Sequence, residues 1–168
     1  HLARAQAKRA EMLEIRQRQQ EERLEHLKEK EARQLQDRLE QLIADLDEPN
    51  NHEFAIFQLS QLGDEALDML SDTLLSDDDP DARYGSAIAI GRIANEQNIK
   101  VLDRAKAAKA LIKALDDDEA AVRYWSAEAL GKMRTQLAVE PLTTLLKDAH
   151  KGVRQQAQAT LDKLRSLV

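Results

Sequence analysis

The chain has 168 residues, of which 33% are charged and 3% aromatic, with a net charge of −6 and no cysteine. The missing thiols exclude disulfides, thiol catalysis and cysteine-held metals. The acidic balance offers no phosphate-binding footprint, so nucleic acid is not an expected partner. No apolar run approaches the ~18–20 residues of a membrane span and no signal peptide is visible, so a cytoplasmic protein is expected. Starting at His1, the sequence reads as a fragment or a processed product. Gly and Pro total eight, while Ala, Leu, Gln and charged residues dominate, which is helical composition.

Residues 1–47 contain neither Gly nor Pro and read as one long charged helix, ending near Asp47-Glu48-Pro49. Leu2, Leu13, Leu24, Leu35 and Leu46 recur every 11 residues. Eleven residues are almost three whole turns, so these side chains form a nearly straight line, about 16 Å apart. The line is thin, because Arg16, Gln17 and Gln20 stand where a strong coiled coil would be apolar. Two readings stay open: a docking or self-associating coiled-coil helix, or a solvated helix held by pairs such as Glu14–Arg18 and Glu29–Arg33. The end of the helix, Leu42-Ile43-Ala44-Asp45-Leu46-Asp47, matches Leu111-Ile112-Lys113-Ala114-Leu115-Asp116, so it reads as half of a first repeat.

Residues 48–168 form the second expected domain. Helix pairs are predicted at 51–62 with 64–75, 80–94 with 104–115, and 119–133 with 136–147, followed by a closing helix at 150–166. A longer loop is expected within the excess at 95–103. The phrase Asp79-Pro80-Asp81-Ala82-Arg83 returns 40 residues later as Glu119-Ala120-Ala121-Val122-Arg123, and again 31 residues on as His150-Lys151-Gly152-Val153-Arg154. Each Arg follows a Leu by eight residues (Leu75, Leu115, Leu146) and an acid by six (Asp77, Asp117, Asp148). Fixed-interval similarity of this kind marks stacked repeats. Apolar or small residues follow at helical offsets: Ala82, Ser86, Ala89, Ile90 and Ile93 in one copy, and Val122, Ser126, Ala129, Leu130 and Met133 in the next. Gly63, Gly91 and Gly131 stand late in the first helices, where a missing side chain permits a tight turn or close packing.

The pattern Leu-x-Asp, Val-Arg, Ala-x-x-Ala-Leu-Gly resembles HEAT repeats over residues 39–168. Its short period is similar to the HEAT-like repeats of the phycobilin lyase family. The resemblance implies an all-α, HEAT-like solenoid of three to four repeats, preceded by the long helix. It further implies a structural ladder of turn aspartates and helix arginines: Asp77, Asp117 and Asp148 with Arg83, Arg123 and Arg154. Phe54-Ala55 replaces the arginine of the first repeat, so the ladder is expected to stop there. Arg83-Tyr84 and Arg123-Tyr124-Trp125 are similar to phrases of bilin lyase subunits.

Chemistry finds no foothold. A HEAT-repeat enzyme, deoxyhypusine hydroxylase, holds iron by His-Glu pairs, but the matching positions here are Tyr84-Gly85 and Tyr124-Trp125. His52-Glu53 is out of register and reads as a helix start. Asp77-x-Asp79-x-Asp81 opens like a calcium loop, but Ala82 and Ile88 replace its required Gly and Glu. No catalytic, cofactor-binding or metal-binding residue is therefore assigned.

Partner-binding candidates are Tyr84, Tyr124 and Trp125, since Tyr and Trp anchor interfaces, although the two tyrosines occupy equivalent positions that also suit packing between repeats. Lys109 and Lys113, one helical turn apart on a second helix, are candidates for steering an acidic partner. The expected function is a non-enzymatic scaffold or adaptor for another protein, such as a member of a large complex. The alternative is a phycobilin lyase-like or phycobilisome-handling component. No cofactor is expected on the first reading and a bilin on the second.

Overall fold

A computed structural model of the chain describes residues 2–95 and 101–166. Eight α-helices follow one another among the described residues, without a strand. Contacts divide the chain into two compact units, His1–Arg38 and Leu39–Val168. Helix α1 (Leu2–Ala44) supplies the first unit and lends its last turns to the second. Leu39, Leu42 and Leu46 are buried there, whereas the described side chains before Leu35 are exposed. The sequence boundary at 47/48 follows the end of the helix, while the compact unit already begins at Leu39.

The second unit pairs α2 (His52–Leu62) with α3 (Asp64–Ser76), and α4 (Pro80–Asn95) with α5 (Val101–Lys113). Helix α6 (Ala120–Met133) precedes α7 (Val139–Leu145), and α8 (Lys151–Arg165) closes the series. First helices stack in one layer, α2 on α4, α4 on α6 and α6 on α8, while α3 lies beside α4 and α5. This is the all-α, HEAT-like solenoid. The longer loop expected at 95–103 falls largely on residues 96–100, outside the described residues; from Val101 the chain is already in α5, three residues earlier than predicted.

Small residues make the stacking possible. A Cβ on Gly91 would lie 3.0 Å from the Ala129 Cβ and 3.1 Å from its Cα, so α4 meets the backbone of α6. Gly131 stands likewise against Thr160 of α8, whose hydroxyl donates to the Ala127 carbonyl at 3.1 Å. Gly63 serves differently. Its φ of +59° forms the one-residue hinge between α2 and α3, a conformation that favours glycine.

Leu46 and the leucines eight residues before the arginines, Leu75, Leu115 and Leu146, do not share one environment. Leu46 and Leu115 are buried, but Leu75 is 44% exposed and Leu74 takes the core position beside it. Helix α3 stays α-helical through Ser76, whereas α5 tightens into a 3₁₀ turn over Ala114–Asp116. Leu115 is buried within that tight turn, and no such turn exists at Leu75.

Candidate protein-binding surface

The turn before each first helix sets the geometry of the aspartate–arginine row. Asp77, Asp117 and Asp148 accept the backbone N–H of Asp79, Glu119 and His150 through Oδ1 at 2.8–2.9 Å. Each arginine lies in the first turn of its helix and donates Nη1 to two carbonyls of its own preceding turn. Arg83 bonds Asp77 and Asp78, Arg123 bonds Asp117 and Asp118, and Arg154 bonds Asp148 and Ala149. In Arg83 and Arg123 the remaining two nitrogens reach forward to the next repeat. Arg83 grips Asp117 at 2.9 and 3.0 Å, and Arg123 grips Asp148 at 2.7 and 3.0 Å.

The links therefore run from one repeat to the following one, while within a repeat the arginine holds only carbonyls. Among the described residues Arg154 has no forward carboxylate, and the Asp77 carboxylate receives no arginine. Ala55, buried in α2, occupies the place of the missing cation. These partners shift the acids. Burial pushes the Asp117 carboxyl up, but the Arg83 guanidinium and the Glu119 N–H outweigh it and hold the group below the usual range. Arg123, helped by the His150 N–H, holds Asp148 below that range too, against burial.

Tyr84 is half-buried, its ring 5.0 Å from that of His52 at a tilt of 55°. His52 Nδ1 lies 2.5 Å from the Leu46 carbonyl, so the proton sits on Nδ1 and the buried Nε2 has no partner. His52 thus ties α2 to the end of the half-repeat. Gly85 leaves room for it, since a Cβ there would meet the His52 ring at 3.0 Å and Leu46 at 3.1 Å. Tyr124 and Trp125 form an edge-to-face pair at 5.1 Å, both half-buried. The equivalent tyrosines thus have different partners: a histidine of α2 for one, a sequence neighbour for the other.

The second helices carry a mixed-charge surface. Lys106 bridges from α5 to Asp68 of α3 at 2.6 Å, which neutralises both charges. Lys109 and Lys113, on the same helix, are exposed and make no ion pair among the described residues. On α7 and the turn after it, Glu140, Thr143, Thr144 and Lys147 line a shallow depression of about 490 Å³ without an aromatic ring.

Two features escaped the sequence reading. Arg104 of α5 donates to the carbonyls of Ala94 and Met133, closing the C-terminal ends of α4 and α6 together. Its counterpart in the next repeat is Gln136, whose Nε2 donates to the Leu164 carbonyl near the end of α8 at 3.2 Å, so the contact recurs with a different side chain and residue identity does not signal it. Phe54 and Phe57 are 60% and 50% exposed three residues apart on α2, and form an apolar patch on the first helix pair. An i,i+3 aromatic pair is the signal that could have found them.

Residues 102–162 match the family model for HEAT repeats. Among solved structures, an engineered protein from the Northeast Structural Genomics Consortium is similar over 76% of this chain at 18% identity, with a TM-score of 0.54. The chain spans 62% of that protein's length. A chain of the CpcE–CpcF complex of phycocyanin lyase from Nostoc sp. PCC7120 is similar at 21% identity and a TM-score of 0.55, covering 73% of this chain and 96% of that one. The search of curated proteins finds no match. At these identities the likeness is one of fold. Among the described residues no helix is long and apolar enough to cross a membrane.

Proposed function

We propose that this HEAT-repeat protein is a non-enzymatic scaffold that binds another protein through the second-helix face, with Lys109 and Lys113 steering an acidic partner. The observation that carries the reading is the contrast within α5: Lys106 is paired with Asp68, while the ammonium groups of Lys109 and Lys113 on the next two turns make no ion pair among the described residues. Exposed charges of this kind mainly raise association rate, and salt screens them over about 8–10 Å. The test compares the protein with its Lys109→Glu, Lys113→Glu variant in affinity capture at low and high salt. Partners retained by the parent at low salt should be lost from the variant. Equal retention by both rejects the lysine pair and moves the site to Phe54 and Phe57, or to Tyr124 and Trp125.

A second reading is supported by one observation, the near-complete coverage of the phycocyanin lyase chain. On this reading the chain handles a bilin within a complex, with Arg123, Tyr124 and Trp125 as the contact phrase. Purification from a bilin-producing host tests it: a visible absorption band that travels with the protein and disappears in Trp125→Ala supports bilin handling. A colourless protein under those conditions removes the bilin.

A further inference from the structure

Helix α1 is basic where it begins and acidic further on. Residues 2–18 carry five cations and two carboxylates, a net +3, whereas residues 21–31 carry five carboxylates and three cations, a net −2. No acid stands in the first turn and no base in the last, so the charges run against the helix macrodipole. Apolar side chains are left bare on the same segment: Met12, Leu13, Leu24 and Leu27 are 48–58% exposed. Leu13 and Leu24 are 11 residues apart, close to three whole turns, and share one face.

We propose that residues 2–38 of α1 pair antiparallel with the same segment of a second copy, Leu13 of each helix facing the Leu24–Leu27 stretch of the other. Charge decides the direction. A parallel pair would set +3 against +3 and −2 against −2. The antiparallel pair lays each basic start on its partner's acidic stretch and opposes the two macrodipoles. Reversal about a point near residues 19–20 brings Gln17, Gln19 and Gln20 of both copies near the centre, where amide side chains can bond one another without like charges meeting. The leucines then lie on either side of that polar centre. This pairing is independent of the lysine surface proposed for the repeats.

The chain has no cysteine of its own, so single introduced thiols report the direction directly. Gln6→Cys and Gln34→Cys alter exposed, uncharged positions and leave the leucines intact. In the antiparallel pair, the thiol at position 6 of one copy lies near the thiol at position 34 of the other. Two thiols at position 6 stand about 40 Å apart at 1.5 Å per residue. A short bismaleimide should therefore cross-link the mixed variants to each other and neither variant to itself. Light scattering of the parent should show twice the chain mass as concentration rises, and Leu24→Glu should return it to one. Self-linked products from either variant alone would overturn the direction. A single-chain mass at every concentration, with no mixed product, would overturn the pairing.

Discussion

Arg123 meets Asp148 through two parallel hydrogen bonds, Nε to Oδ2 at 2.7 Å and Nη2 to Oδ1 at 3.0 Å, with the two side chains only 14% and 9% exposed. A surface ion pair contributes little, about 0–1 kcal/mol. This one is largely withdrawn from water, and the third arginine nitrogen is held by the Asp117 and Asp118 carbonyls. Removing one partner strands the other. Arg123→Ala should lower unfolding stability by about 2–4 kcal/mol, Asp148→Asn by somewhat less. A double-mutant cycle read by urea denaturation checks the coupling, and additive effects would show that the fork contributes nothing.

The same forks predict acid sensitivity. Asp117 and Asp148 titrate below their ordinary range in the folded chain, against about 3.9 when unfolded. A depressed carboxylate stabilises the fold fully above the unfolded value, and that contribution fades as pH falls through the folded one. Thermal midpoints should hold from neutral pH to about pH 5 and drop steeply below about pH 4. In Arg123→Ala the drop attributable to Asp148 should shrink. An unchanged acid limb in that variant would detach Asp148 from the effect.

Gly91 opposes two forces that can be separated. Gly→Ala within a helix ordinarily gains about 1 kcal/mol. Here the new methyl would press on the Cα and Cβ of Ala129, which cannot swing aside. Gly91→Ala should therefore cost about 1–3 kcal/mol despite the propensity gain. Adding Ala129→Gly should recover part of that cost, as measured by the shift in thermal midpoint. A stabilised single variant would mean that α4 and α6 can part without penalty.

Deleting residues 1–38 should leave the repeat transition within a few degrees of the parent, because the described side chains before Leu35 are exposed and the buried ones begin at Leu39. Circular dichroism melts of the two chains make the comparison. A truncated chain that fails to fold would give α1 a core role.

Much of the architecture is legible in the sequence because helical repeats write the same constraint several times. The Leu-to-Arg interval marks the turns, and offsets of four and seven residues after Ala82 and Val122 mark the inward faces. The direction of the forward links is not legible: Arg123 lies near Asp117 in sequence, but grips Asp148 because α6 stacks on α8. Burial at the interval leucines is not legible either: Leu75 and Leu115 hold equal places in the repeat, yet only the latter is buried, within a 3₁₀ turn that α3 lacks. A contact made once, such as His52 to Leu46, leaves no periodic trace, and one whose side chain changes between repeats, Arg104 on Met133 and Gln136 on Leu164, leaves none in residue identity.

The missing arginine opposite Asp77 has a mechanical consequence. Pulled along the stack, the joints between α4 and α6 and between α6 and α8 each carry a guanidinium clasp in parallel with their apolar contacts. Among the described residues the joint between α2 and α4 carries no such clasp, but has its packing, the His52–Tyr84 ring contact and the long, exposed Arg92–Glu53 pair at 3.5 Å. Nearest-neighbour stability makes such a series yield at its weakest interface. Under load the solenoid should peel from α2 onward, leaving α4 to α8 clasped until a higher force is reached.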